Sequence, residues 1–249
     1  LLMQTSPLKH WALLGYLVLV WGFAFALIAV ALESLHPTFI VWCRLWMGAV
    51  VMWCVWRWRG TPWSLGAAWW PRLVLLSVAG NIIPFSLIAW AELSVPSAEV
   101  GILMALMPIA TLLLAHWLLE HEPLTWIRFS GVLMGFAGVG LLVGEDLFQS
   151  GMQGQLPGQL ATLLATLSYA FNGVYAKRIP DADPVALSLG TLFVGGLMLA
   201  IPACLLQSAG LGFAFSAESV SVLLLLGVMG TGLATWAFFV VVSERGPGF

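Results

Sequence analysis

Several polar and aromatic side chains stand in the middle of long apolar segments of this sequence, where hydrocarbon would surround them. They are Trp21, Arg44, Asn81, Tyr169 and Asn172. A polar group in hydrocarbon needs a partner, so such a residue either bonds to a neighbouring helix or lines a water-filled cavity. Both interpretations stay open for the two asparagines. The chemistry that these residue types support is reversible, non-covalent binding of a small solute.

Prolines and hydroxyl groups mark further candidate positions in the same segments. Pro84 follows Asn81 by one turn, and a proline inside a helix frees a backbone carbonyl and kinks the helix, which lets irregular backbone line a cavity. Pro108 predicts a second kink, and Thr231 and Thr235 share one helix face. The full set of predicted cavity residues is Trp21, Arg44, Asn81, Pro84, Pro108, Tyr169, Asn172, Thr231, Thr235 and Trp236.

Signatures of enzymes and of metal sites are weak in this sequence. His116, Glu120 and His121 form H-x-x-x-E-H, one residue longer than the inverted zinc-peptidase pattern, and the two histidines fall on different faces of a helix. G-x-S-x-G and a phosphate-binding glycine loop are absent. The three cysteines lie in apolar segments without a C-x-x-C spacing and are interpreted as buried small residues. We therefore expect no catalytic residues, no metal, no cofactor and no enzymatic activity.

The composition is that of a membrane protein. Hydrophobic residues make up 61% of the 249 residues and charged residues 8%, whereas a soluble domain carries about 25% charged residues. A net charge of −2 provides no broad basic surface for nucleic acid. Apolar segments of about 20 residues, the length that crosses a lipid bilayer, predict an all-α, polytopic membrane helix bundle. The eight predicted spans are Trp11–Leu32, Pro37–Trp56, Arg72–Ala91, Ser97–Leu119, Trp126–Gly144, Pro157–Ala176, Pro184–Leu206 and Val220–Val242.

The basic residues predict the orientation of these spans. Eight of the nine Lys and Arg residues precede the first span or flank connections on one side of the membrane: Lys9, Arg57, Arg59, Arg72, Arg128, Lys177, Arg178 and Arg245. The opposite side carries acidic residues without Lys or Arg, so the positive-inside rule places the basic side and the N-terminus in the cytoplasm. The ninth, Arg44, lies within the second span. It either snorkels outward to pair with a helix end or lines a water-filled path.

The second part of the sequence resembles the first at an offset of 147 residues. The matching positions are Pro37 and Pro184, Gly48 and Gly195, and Gly80 and Gly227. Five spans separate the two repeat starts, so the repeats are predicted to be inverted, an arrangement that gives transporters two equivalent gates around one site. Counterparts of the fourth and fifth spans are missing. A complete chain is therefore expected to have ten spans in two inverted repeats of five helices.

Several stretches, in order along the chain, resemble EamA-type members of the drug/metabolite transporter superfamily. Trp21–Phe25 is similar to the family's Trp-Gly signature, and Arg44 stands where the family has an arginine. Leu118–Thr125 resembles its Gly-Glu loop, with His121 replacing the usual glycine. The glycines of the fifth span match a glycine-rich helix, and they either pack within the chain or form a homodimer seam. Residues 244–247 resemble the start of a ninth span.

The resemblance implies a carrier that works by alternating access in a bacterial inner membrane, exporting small metabolites such as amino acids or drugs. The implied organisation is a cytoplasmic segment, 1–10, a first EamA repeat, 11–144, an external loop, 145–156, and an incomplete second repeat, 157–249. The expected partners are a small-molecule substrate and the bilayer, not nucleic acid, and the oligomeric state stays open. The alternative is a non-transporting membrane subunit or scaffold.

Overall fold

The computed structural model describes residues 7–119, 126, 129–131, 133–134, 137, 155–180, 182–208 and 216–249. The α-helices are α1 (Pro7–Leu32), α2 (Pro37–Arg59), α3 (Trp70–Ser77), α4 (Ile83–Ala91), α5 (Ser97–Met104), α6 (Met107–Leu118), α7 (Leu156–Arg178), α8 (Pro184–Ser208), α9 (Ala217–Gly227) and α10 (Ala234–Arg245). This confirms the all-α class. The predicted fifth span and external loop lie almost entirely outside the described residues.

Six of the described helical stretches are long and apolar enough to cross a membrane. They coincide with the predicted spans one to four, seven and eight. Helix α7, at the place of the predicted sixth span, has 23 residues but a more polar sequence. Its Thr162 and Thr166 are buried, and each hydroxyl donates to the carbonyl four residues earlier. Helices α4, α5 and α6 pack on α7, so its polar groups are shielded from lipid.

The third and eighth predicted spans each contain a short π-helical segment. Segment π1 (Val78–Ile82) joins α3 to α4, and segment π2 (Val228–Leu233) joins α9 to α10. Pro84, in the first turn of α4, cannot donate a backbone hydrogen bond, which accounts for the irregularity predicted around Asn81. Segment π2 contains no proline. There the Thr231 hydroxyl donates to the Leu226 carbonyl oxygen at 2.8 Å, five residues earlier, and replaces a backbone donor.

The fourth predicted span is also interrupted. Helix α5 ends at Met104 and α6 begins at Met107, so the break lies just before Pro108, which stands in the first turn of α6. Proline is well tolerated there because the first N–H groups of a helix lack intrahelical acceptors. The predicted kink therefore takes the form of a broken helix.

The core lies where α2 packs on α8 and α9. Leu45, Leu192 and Leu226 are fully buried there. Repeat-matched glycines allow the two halves to come this close: a Cβ atom placed on Gly227 would lie 2.5 Å from the Met47 Cβ, and one on Gly80 would lie 2.6 Å from the Asn172 Cγ. Such distances are below carbon–carbon contact, so a larger side chain at either glycine requires the neighbouring atoms to shift.

Candidate functional site

A cavity of about 120 Å³ lies among α1, α2, α4, α5, α6, α7 and α10. Aromatic and aliphatic side chains make up most of its wall, and Arg44 adds a positive charge. The lining residues are Trp21, Ala24, Phe25, Ile28, Arg44, Phe85, Ile88, Met104, Met107, Thr111, Tyr169, Gly173, Phe238 and Pro247. We call this the aromatic cavity. An apolar wall with few polar groups is the usual composition of a small-molecule site.

A smaller and more polar cavity of about 30 Å³ lies beside it, next to the two π-helical segments. We call this the amide cavity because Asn81 and Asn172 both line it. Its wall is Trp21, Leu76, Gly80, Asn81, Phe85, Tyr169, Asn172, Gly230, Thr235, Phe238 and Phe239. The two cavities share Trp21, Phe85, Tyr169 and Phe238. Four aromatic side chains thus stand in the walls of both cavities.

Arg44 is held in the cavity wall and does not reach a helix end. Its side chain is 3% exposed, its Nε donates to the Thr231 Oγ1 at 3.2 Å, and its guanidinium carbon lies 4.2 Å from the centroid of the Phe85 ring. A desolvated cation over an aromatic face gains about 2 kcal/mol. That gain offsets only part of the cost of burying a charge, so the guanidinium favours an additional anionic partner.

The carbonyl groups of π2 receive hydrogen bonds from α1. Trp21 Nε1 donates to the Gly230 carbonyl oxygen at 3.3 Å, and the Tyr16 hydroxyl donates to the Met229 carbonyl oxygen at 2.9 Å. A π-helical turn disturbs the regular backbone ladder, and these side chains satisfy the acceptors it leaves inside an apolar bundle. Helix α1 therefore stabilises the irregular segment of the other half.

The first half shows the reciprocal arrangement. Ser168 of α7 donates its hydroxyl to the Ala79 carbonyl oxygen of π1 at 2.8 Å. Ser168 is also the residue that the offset of 147 aligns with Trp21. One turn further along α7, the Asn172 side chain lies against Gly80. It is 5% exposed, and its Oδ1 has no hydrogen-bond partner among the described residues.

The structure brings most of the predicted residues to one place. Trp21, Arg44, Asn81, Tyr169, Asn172 and Thr235 line one or both cavities, and the fully buried Thr231 holds Arg44. Pro84 is buried in the wall and shapes π1. Pro108 is exposed. Trp236 packs against Leu17 and the core and is not among the lining residues of either cavity.

Sequence reasoning overlooked most of the apolar lining. Phe85, Met104, Met107 and Phe238 line the aromatic cavity, but in a sequence they look like lipid-facing side chains. Tyr169 packs its ring against Phe85 with centroids 6.3 Å apart at 63°, an edge-to-face pair. The position of Phe85 beside Pro84 was the one signal in the sequence that could have indicated its place.

Directly after α4 lies a buried carboxyl group, that of Glu92. Neither of its oxygens has a hydrogen-bond partner in the part of the chain that the structure describes. Burial raises the pKa of Glu92 to about 8, although the positive charge of Arg44 lowers it. The hydroxyl of the nearby Ser97 donates to the Phe25 carbonyl oxygen at 3.3 Å and not to Glu92. On the same predicted outer side, Gln159 donates to the Glu99 Oε1 at 2.5 Å and links α7 to α5.

At the predicted cytoplasmic end, ion pairs connect the two halves. Glu244 of α10 accepts from Lys9 Nζ at 3.0 Å and lies 2.6 Å from the Nε2 of the buried His10. Arg59 of α2 pairs with Asp183, before α8, at 3.1 Å. Exposed pairs of this kind each contribute about 0–1 kcal/mol. Their common location still distinguishes this end from the outer end, where the Glu92 carboxyl has no partner among the described residues.

Comparison with known proteins gives a consistent result. Residues 9–144 match the model of a family described as the EamA-like transporter family. An uncharacterized transporter of Archaeoglobus fulgidus is 23% identical over 230 residues, which cover 89% of this chain and 75% of that protein. The uncharacterized inner membrane transporter YedA of Escherichia coli is 24% identical over 193 residues, covering 74% of this chain and 58% of YedA.

A solved crystal structure of another protein supports the fold. It superimposes with a TM-score of 0.69 at 20% sequence identity, and the match covers 96% of this chain and 80% of that chain. At this identity the likeness concerns the helical architecture alone.

Proposed function

The chain belongs to the EamA-like transporter family of the drug/metabolite transporter superfamily, and from this premise we propose that it carries small amphipathic metabolites, such as amino acids or drugs, across the bacterial inner membrane. It is a multi-pass membrane protein, and its relatives are named as transporters, not as enzymes. We propose net export with the N-terminus in the cytoplasm. The direction rests on the family resemblance and the orientation on the basic residues.

The observation that carries this proposal is the pair of adjoining cavities between the halves of the chain. The aromatic cavity offers an apolar wall for a hydrocarbon or aromatic body, and Arg44 and the asparagines offer polar groups at separate points. A solute with an apolar body and a polar head would therefore contact both kinds of surface. Buried polar groups without local partners favour such a ligand, because its polar head can form the hydrogen bonds that these groups lost when water was excluded.

The reciprocal hydrogen bonds to the π-helical segments support an alternating-access mechanism. Trp21 of the first half bonds to π2, and Ser168 of the second half bonds to π1. In an inverted repeat, equivalent contacts on opposite sides of the membrane exchange roles when one half rocks against the other. We propose that these contacts guide such a motion, with residues 11–144 and 157–249 as the two moving halves.

Counterflow in liposomes tests the proposal. The purified protein would be reconstituted and screened with labelled amino acids and small organic acids, with external uptake driven by an internal excess of the same compound. We expect saturable uptake that falls at least tenfold in Asn81→Ala and in Asn172→Ala, since each removes a polar group from the amide cavity. Ser221→Ala, at an exposed position of α9, is the matched control and should transport normally.

An inactive but folded protein would point elsewhere. If circular dichroism shows native helix content and no compound of any charge class exchanges, the carrier proposal fails and a non-transporting membrane subunit becomes the better interpretation. If uptake occurs but is unchanged in both asparagine variants, transport stands and the amide cavity is not part of the site.

A further inference from the structure

Two ionisable groups, Arg44 in the wall of the aromatic cavity and Glu92 just after α4, are buried without an ion-pair partner among the described residues. Arg44 is 3% exposed, and no carboxylate oxygen of the described residues lies within 4.0 Å of its nitrogens. Both oxygens of Glu92 are buried and unbonded within the same described part of the chain. An uncompensated buried charge destabilises a fold. The two charges cancel while Glu92 is ionised, and once Glu92 is protonated the charge of Arg44 needs an added anion to be neutralised.

The backbone places Glu92 on the helical face that also carries two cavity-lining residues. Glu92 follows α4 with its N–H still bonded to the Ile88 carbonyl oxygen at 3.0 Å, so it continues the helical face of Phe85 and Ile88. Those two residues line the aromatic cavity, and Arg44 lies over the Phe85 ring. Arg44 thus stands at the cavity wall, and Glu92 stands one turn beyond Ile88 on the same side.

We propose that Glu92 is a proton-binding site coupled to Arg44, and that the transported solute is a small organic monoanion with an apolar body that moves together with one proton. This inference rests on the proposed carrier function and specifies its substrate class. It assigns the carboxylate of the solute to the free nitrogens of Arg44 and its apolar body to the ring-lined wall.

The coupling follows from charge balance. When Glu92 is ionised, its negative charge compensates Arg44 across the wall and repels an incoming anion. When Glu92 takes up a proton, Arg44 is left uncompensated and an anion supplies the missing charge. Proton and anion therefore favour each other's binding, and by linkage the effect is reciprocal. Each cycle moves one H⁺ and one anion in the same direction with no net charge. Export by this route therefore runs down the concentration gradient of the solute itself, and no oxidant, nucleotide or second ion is required.

The surroundings of Glu92 are consistent with this role. The elements around it carry further titratable groups at their cytoplasmic ends, whereas towards the outer side they carry Arg44 of α2, His36 before α2, Tyr169 of α7, Glu99 of α5 and Glu33 after α1. Glu99 is bonded to Gln159, His36 Nδ1 accepts from the Thr38 N–H, and Glu33 is exposed. Arg44 is the charge that acts on Glu92, and burial outweighs it, so that the raised pKa holds the proton near neutral pH.

The first test measures the proton without any solute. Infrared difference spectra of the full chain in lipid nanodiscs would be recorded between about pH 6 and about pH 10, the range around the shifted carboxyl. We expect a protonated-carboxyl C=O band that is lost as the pH rises, is absent from Glu92→Gln and persists in Glu33→Gln, whose carboxyl is exposed. Glutamine is isosteric with protonated glutamate, so Glu92→Gln should fold. A wild-type spectrum without the band, or a band retained in Glu92→Gln, overturns the proposal.

The second test measures coupling with phenylacetate as the probe and uncharged phenylacetamide as its control. Binding, followed by tryptophan fluorescence, should weaken about tenfold per pH unit above the Glu92 pKa in the wild type. It should be independent of pH in Glu92→Gln, and a pH-sensitive dye should report proton uptake on binding in the wild type alone. Equal binding of phenylacetamide, pH-independent binding by the wild type, or no phenylacetate binding by the folded protein each overturns the proposal. Counterflow of neutral solutes alone would leave the carrier function intact and remove this inference.

Discussion

Segments π1 and π2 have the same backbone form for different reasons. Segment π1 precedes Pro84, whose missing N–H disrupts the helix locally, and it receives a hydrogen bond from Ser168. Segment π2 has no proline and depends on side chains: Thr231 bonds back to Leu226, and Tyr16 and Trp21 reach it from α1. The comparison shows that a π-helical segment can arise either next to a proline in the chain or through hydrogen bonds from side chains. It also predicts that π2 is the segment more sensitive to the loss of its neighbours.

The largest difference in stability between variants of the two segments should come from side-chain packing and not from hydrogen bonding. Gly80→Ala places a Cβ 2.6 Å from the Asn172 amide, whereas Gly230→Ala finds nothing closer than 3.8 Å. We expect Gly80→Ala to lower the free energy of unfolding by about 3 kcal/mol through overpacking and Gly230→Ala to change it by under about 0.5 kcal/mol. Thermal unfolding in detergent would measure both. Asn172→Ala added to Gly80→Ala should restore part of the loss, and no such rescue would mean that the strain lies elsewhere.

The second largest loss of stability should come from removing the Thr231 hydroxyl, the side-chain donor within π2. Thr231→Val keeps the shape of a fully buried side chain but deprives the Arg44 Nε of its acceptor and Leu226 of its donor. The expected loss is about 2 kcal/mol, the cost of a buried charged donor without a partner. Thr231→Ser keeps the hydroxyl and should lose under about 1 kcal/mol. Equal losses in the two variants would indicate that the methyl packing, not the hydroxyl, sustains π2.

The smallest effects should come from the reciprocal bonds themselves. Trp21→Phe removes the donor to Gly230, and Ser168→Ala removes the donor to Ala79. Each should cost about 1 kcal/mol of stability, the usual net value of one hydrogen bond. Because π1 also has Pro84, Ser168→Ala should be the milder change. Thermal unfolding in detergent would measure both losses of stability. A larger loss from Ser168→Ala than from Trp21→Phe would contradict the inference that π2 depends more on its neighbours than π1 does.

This contrast also explains what the sequence could and could not predict. The irregularity near Asn81 was predictable because proline chemistry is local, and Arg44 stood out because a charge in an apolar segment is rare. Segment π2 was not predicted, since its causes lie partly in α1, far away in the chain. Phe85 and Phe238 were missed for a related reason: an apolar side chain gives no sequence signal that separates a cavity wall from a lipid-facing surface. Trp236 was expected in the cavity, but packing of α10 against Leu17 places it in the core.

The contacts of α1 also set an order of events during synthesis. Its partners in π2 and α10 follow it by 209 residues for Trp21, 213 for Tyr16 and 235 for Lys9. At about 5–20 residues per second of translation, these partners are synthesised on the order of 10–50 s after α1. Helix α1 must therefore persist through that interval before it can form these contacts with the second half of the chain.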